Sequence, residues 1–178
     1  MQKEIAEGNK AALDFAKAAS EGGTVADLLR IPNGAARLVR LQQIIENAAL
    51  LGGSDDSANM DDFEQKFLDS RPNQWIVFCN YKESCTLLAD RLRSKYGATV
   101  AIYNGDVSPA DRTEIEDRFQ RGEIDVVVGT VEAMYQGITL TSGHLQHWLS
   151  RSFVPARNEQ GEARQHRLGQ QDLVRVYI

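Results

Sequence analysis

From Pro72 onward the chain exchanges short apolar runs for amphipathic helices in strict turn, and this alternation constrains the fold more than any other feature. Trp75–Cys79 (WIVFC) is an uninterrupted apolar run of buried-strand type. Lys82–Tyr96 follows as an amphipathic helix with Leu87, Leu88 and Leu92 inward. Residues 99–103 (TVAIY) form a second strand, and Asn104-Gly105-Asp106 a turn. Ser108 then caps a helix that Pro109 opens and that runs to about Gln120. Residues 125–128 are nearly all valine, as expected of a strand covered on both faces. A fourth strand is predicted over 146–149, a helix over 158–167 and a last strand over 173–178. Such alternation builds parallel βαβ units, so the predicted class is α/β: an open, mostly parallel sheet flanked by helices. In these sheets ligands meet the loops at the carboxyl ends of the strands.

Residues 1–70 read as a helical lead-in, and 71–178 as the sheet domain. Ile5, Ala12, Phe15 and Ala16 fall at helical spacing, VADLLR (25–30) is a short second helix, and Pro32-Asn33-Gly34 is a turn. Residues 35–51 form the most periodic stretch, with Leu38, Leu41, Ile44, Ile45 and Ala48 on one stripe. Residues 52–57 (GGSDDS) are a solvated linker, and 61–68 one more helix. The lead-in carries twelve acids against seven bases, which makes it a poor nucleic-acid surface and predicts a scaffold role. The sheet domain is balanced at thirteen of each, and from Arg151 onward five arginines face three acids, so a local phosphate-binding groove is compatible with the net charge of −5. The sequence contains no apolar run of about 18 residues to span a membrane and no secretory leader. Two cysteines, Cys79 and Cys85, fit a cytoplasmic, reducing compartment and are read as buried small hydrophobes.

The common phosphate cradles are missing: there is no Gly-Lys pair and no G-x-G-x-x-G after a strand. His144, His147 and His166 lack further ligands at metal spacing, so no metal site is expected. What remains is polar and basic side chains at the strand ends: Asn80, Tyr81 and Lys82; Asn104, Gly105 and Arg112; Thr130 and the 129–137 loop; then Gln160, Arg164 and Arg167. On a continuous helix Gln160, Arg164 and Arg167 share one face, and paired guanidiniums repel unless an anion lies between or beside them.

Taken in order, these segments resemble the second RecA-like lobe of superfamily-two helicases, specifically the Swi/Snf-type DNA translocases. WIVFCNYKESCTLLADRL resembles motif IV, and YNGDVSPADRTEIEDRFQRGEIDVVVGT the stretch with a glycine turn before an arginine-bearing helix. GTVEAMYQGITLTSG resembles motif V, and RSFVPARNEQGEARQHRLGQ motif VI. The resemblance implies a C-terminal motor lobe of an ATP-dependent helicase or translocase. It makes Arg164 and Arg167 the arginine fingers, with Gln160, Gln136 and Gly137 at the nucleotide. It places Asn80, Tyr81, Lys82, Asn104, Gly105, Arg112 and Thr130 along the DNA backbone. ATP would be shared with a first RecA-like lobe in the same or another chain, and magnesium would belong to the full enzyme rather than to these residues. A chain without that lobe is expected to be a fragment or half of a split engine, and inactive alone. Departures from the pattern are Ser150 for the usual Asp, Phe153-Val154-Pro155 for Trp-Asn-Pro, Ala163 for an acid, and one extra residue in motif V. Three rivals share parts of the pattern: an RNA helicase lobe, a non-catalytic nucleic-acid-binding or regulatory module, and an α/β domain binding a small phosphorylated ligand.

Overall fold

The computed structural model describes residues 34–135, 138–165, 170 and 172–178. The helices expected over 5–16 and 25–30, and most of the turn at 32–34, lie outside the described residues. The chain divides into two compact units between Ala58 and Asn59. Among the described residues no helix is long and apolar enough to cross a membrane.

In the first unit, helix α1 (Gly34–Glu46) gives way at Asn47 to a single 3-10 turn (Ala48–Leu51). The unbroken helix expected over 35–51 fails for a local reason. The Asn47 carboxamide accepts the Ala49 N–H at 2.8 Å and donates to Asp55 at 2.6 Å, so it starts a new turn instead of continuing the old one. Gly52 ends that turn at φ +80°, a conformation that glycine adopts at no steric cost. The expected apolar stripe is not a buried one. Leu38 and Ile45 are exposed, while Glu46 and Asn47 are buried and the Ser57 hydroxyl donates to the Glu46 carbonyl at 2.5 Å.

The second unit is organised around five parallel strands: β1 (Trp75–Cys79), β2 (Val100–Tyr103), β3 (Val126–Thr130), β4 (Leu145–Trp148) and β5 (Arg175–Tyr177). Their order is β2-β3-β1-β4-β5. Every neighbouring pair is parallel, as the strand–helix alternation required. Helix α2 (Ala58–Ser70) precedes the sheet, and α3 (Lys82–Tyr96), α4 (Pro109–Gln120), the single turn α5 (Val131–Met134) and α6 (Pro155–Glu162) connect its strands.

Side chains of a strand alternate between faces, so the wholly apolar β1 feeds two cores. Trp75, Val77 and Cys79 pack with Met60, Phe63 and Phe67 of α2 and Leu88 and Leu92 of α3. Ile76 and Phe78 pack on the other face with Phe119, Ile124, Met134 and Trp148. Leu87, expected inward, is only partly buried against the first core. Cys79 and Cys85 are both buried and unbridged. Two glycines mark close approaches. A Cβ on Gly129 would collide with the Tyr103 carbonyl oxygen and the Met134 sulfur, and one on Gly161 would lie 2.8 Å from the Trp148 ring.

Candidate functional site

The sheet register aligns Cys79 with Thr130 and Tyr103 with Gly129, so β1, β2 and β3 end level and the loops that follow them converge. A cavity of about 340 Å³ opens there, lined by Asn80, Lys82, Gly105, Arg112, Thr130, Glu132 and Ala133. Five of the seven residues expected along a nucleic-acid backbone thus share one cavity despite lying 50 positions apart in sequence.

Each wall is held by its own bonds. Asn80 donates to the Ser150 hydroxyl at 2.6 Å and to the Arg151 carbonyl at 3.1 Å, which ties the end of β1 to that of β4. Arg112 donates to the carbonyls of Val107 and Asn104, both at 3.1 Å, and lies over the Tyr103 ring at 5.1 Å. It therefore braces the turn between β2 and α4. Burial, with Glu116 nearby, pushes the Tyr103 hydroxyl above its ordinary pKa, so it stays neutral. The Asn104 side chain accepts the Asp106 N–H at 2.9 Å, a local bond of the kind that stabilises turns. The Lys82 ammonium meets the Asp106 carboxylate at 2.5 Å. Thr130 is buried at the start of α5. Tyr81 sits at the N-cap of α3 and accepts the Cys85 N–H on its carbonyl.

Asp106 and Glu132 were not singled out from sequence. Both lie beside residues that were, but a search for bases and neutral polar groups passes over acids. Glu132 is engaged by Arg157 of α6, whose guanidinium also lies 5.4 Å from the centre of the Tyr135 ring.

The second group of expected residues is arranged differently from the sequence reading. The helix expected over 158–167 spans Pro155–Glu162. Proline begins it because its fixed φ suits a first helical position. The end tightens where Arg164 N–H bonds back only three residues, to the Gly161 carbonyl. Arg164 therefore lies beyond the helix. It is 9% exposed, with its Nε donating to the Gln160 carbonyl at 2.9 Å, whereas the Gln160 side chain is exposed. The two side chains do not share a helix face. Gln136, Gly137 and Arg167 lie outside the described residues.

A guanidinium and a carboxamide form a donor set suited to phosphate oxygens. Glu162, at the end of α6, is engaged by Arg151, which also lies 5.5 Å from the centre of the Trp148 ring. Among the described residues no three His, Cys, Asp or Glu are grouped to hold a metal ion.

The level strand ends, the all-parallel order and the arginine-bearing segment after β4 agree with one family. The chain belongs to the helicase conserved C-terminal domain family, which matches residues 58–169. It is 28% identical over 103 residues to the putative ATP-dependent helicase/translocase YwqA of Bacillus subtilis, covering 57% of this chain and 11% of that protein. Its fold is similar to the C-terminal part of the Fun30 ATPase domain (TM-score 0.63, 19% identity, 78% of this chain and 48% of that one). It is also similar to the Sulfolobus solfataricus SWI2/SNF2 ATPase C-terminal domain (TM-score 0.59, 21% identity, 85% of this chain and 68% of that one). The resemblance to Swi/Snf-type C-terminal lobes and the RecA-like α/β class both stand. The chain spans about a tenth of YwqA's length.

Proposed function

We propose that this chain is the C-terminal motor lobe of an ATP-dependent DNA translocase or helicase. The observation that supports it best is the cavity at the level ends of β1, β2 and β3, where Asn80, Lys82, Gly105, Arg112 and Thr130 meet. In this reading the cavity receives phosphates of one DNA strand, with Tyr81 and Asn104 beside it, and contact to the backbone makes binding largely independent of sequence. Gln160, Gln136 and Gly137 face the nucleotide. Arg164 and Arg167 neutralise charge on the phosphates of ATP held chiefly by a first lobe, which also supplies the magnesium ligands. ATP, when bound, supplies the phosphoryl group whose transfer to water drives the cycle. Residues 1–70 serve as a scaffold ahead of the sheet, and this chain alone does not hydrolyse ATP.

The test is DNA-stimulated ATP hydrolysis by the full-length polypeptide with and without Arg167→Ala. Removal of one finger should cut turnover about 10³-fold and leave DNA affinity nearly unchanged. Turnover indifferent to the substitution, or absent from both proteins, would replace this reading with that of a non-catalytic binding module.

A further inference from the structure

Resting on that reading of the cavity, we propose that Asp106 competes with the DNA phosphates for Lys82 and thereby sets how tightly this lobe grips a backbone. The cavity has two cationic side chains, Lys82 and Arg112. Arg112 is committed to the carbonyls of Val107 and Asn104 and to the Tyr103 ring. Lys82 is the cation able to change partner. Its Nζ rests on the Asp106 carboxylate at 2.5 Å, and these side chains are 49% and 72% exposed.

Asp106 is not a loose neighbour. Its N–H bonds to the Asn104 side chain, and Arg112 braces the same turn. A rigid turn therefore presents the carboxylate to the ammonium. Gly105, next to Asp106 in the turn, also lies beside Lys82: an added Cβ there would stand 4.0 Å from Nζ. Lysine is a compact point charge with no preferred fork geometry, so a phosphate oxygen can take the place of a carboxylate oxygen without reorienting the site. An exposed pair is weak enough to be exchanged. Glu132, which also lines the cavity, is engaged by Arg157, whereas Lys82 is paired with Asp106. The exchangeable cation of the cavity is thus neutralised by a carboxylate of the adjoining turn, and a phosphate must displace Asp106 to reach it.

The experiment measures fluorescence anisotropy of a short fluorescein-labelled DNA duplex titrated with the full-length polypeptide at low ionic strength. Asp106→Asn should bind two- to fivefold more tightly than wild type, and Lys82→Gln several-fold more weakly. Combined with Lys82→Gln, Asp106→Asn should bring no gain. Matched thermal unfolding of the variants excludes misfolding as the cause. A gain that persists without Lys82 would mean that Asp106 acts only through overall charge, and would overturn the proposal. Weakening by Lys82→Gln with no effect of Asp106→Asn would overturn the competition alone. Binding that neither substitution alters, or no binding by any variant, would overturn the reading of the cavity as well.

Discussion

Glu64 and Lys82 each meet opposite charge within the same unit, at very different depths. Glu64 lies between α2 and α3, where its carboxylate is only 7% exposed and takes Arg91, Lys95 at 3.1 Å and the Tyr96 hydroxyl at 2.6 Å. Asp61 adds a second carboxylate to Arg91. Burial works against the Arg91 charge, yet hydrogen bonding and attraction from Asp61 and Glu64 more than offset it and hold the guanidinium above its ordinary pKa. The Glu64 bond likewise keeps the Tyr96 hydroxyl protonated. Arg91 and Glu64, 10% and 7% exposed, cannot part without stranding a buried charge. Lys82 and Asp106, both exposed beside the cavity, can part at little cost because water solvates both. Depth turns the same chemistry into a clasp in one place and an exchangeable contact in the other.

The largest effect expected from this contrast is at Glu64. Glu64→Ala removes the buried one of the two carboxylates that Arg91 meets and should lower unfolding stability by about 3 kcal/mol. Urea unfolding of the full-length polypeptide, read at this unit's transition, checks it. A shift no larger than that of an exposed acid such as Asp62→Asn would break the comparison.

His147 supplies the next effect. It lies buried on β4 beside Phe63, its ring 5.2 Å away, and desolvation, with a smaller push from Lys66, lowers its pKa from 6.5 to about 4. The unfolded chain therefore binds a proton that the folded chain refuses between pH 6.5 and about 4, and stability must fall as pH drops through that window. The loss should reach about 3 kcal/mol near pH 4. His147→Asn should remove that part of the slope, and parallel stability–pH curves for the two proteins would contradict the assignment.

The smallest effect is beside the cavity. Asp106→Asn should change stability by less than about 1 kcal/mol, even as it tightens DNA binding. A larger loss in thermal unfolding would make the pair a second clasp and erase the contrast with Glu64.

Much of this arrangement could be read ahead of the structure, for identifiable reasons. β1 was legible from the five-residue run WIVFC and β3 from its three successive valines, although β3 spans Val126–Thr130 rather than the expected 125–128. α3 was legible from its leucine spacing, and α4 from Ser108 and Pro109 at its start. The rule that loops follow level strand ends was enough to nominate Asn80, Lys82, Gly105, Arg112 and Thr130 for one place. The helix bearing Gln160 was misjudged at both ends. Pro155, a start signal in view, lay three residues ahead of the expected beginning, and the closing bond from Arg164 N–H to the Gly161 carbonyl carries no sequence signature of its own.

Periodicity and turn chemistry, local along the chain, determined from sequence alone that this is a parallel α/β sheet with its polar groups at one edge. Tertiary structure decided the partners. Lys82 and Asp106 are 24 positions apart, Glu64 and Arg91 27, and Glu132 and Arg157 25, distances over which spacing carries no information. The level strand ends bring Lys82 and Asp106 together, and helix packing brings together the other two pairs. Only the depth at which they meet, and hence the water left around them, decides whether a pair fastens the fold or yields to a ligand.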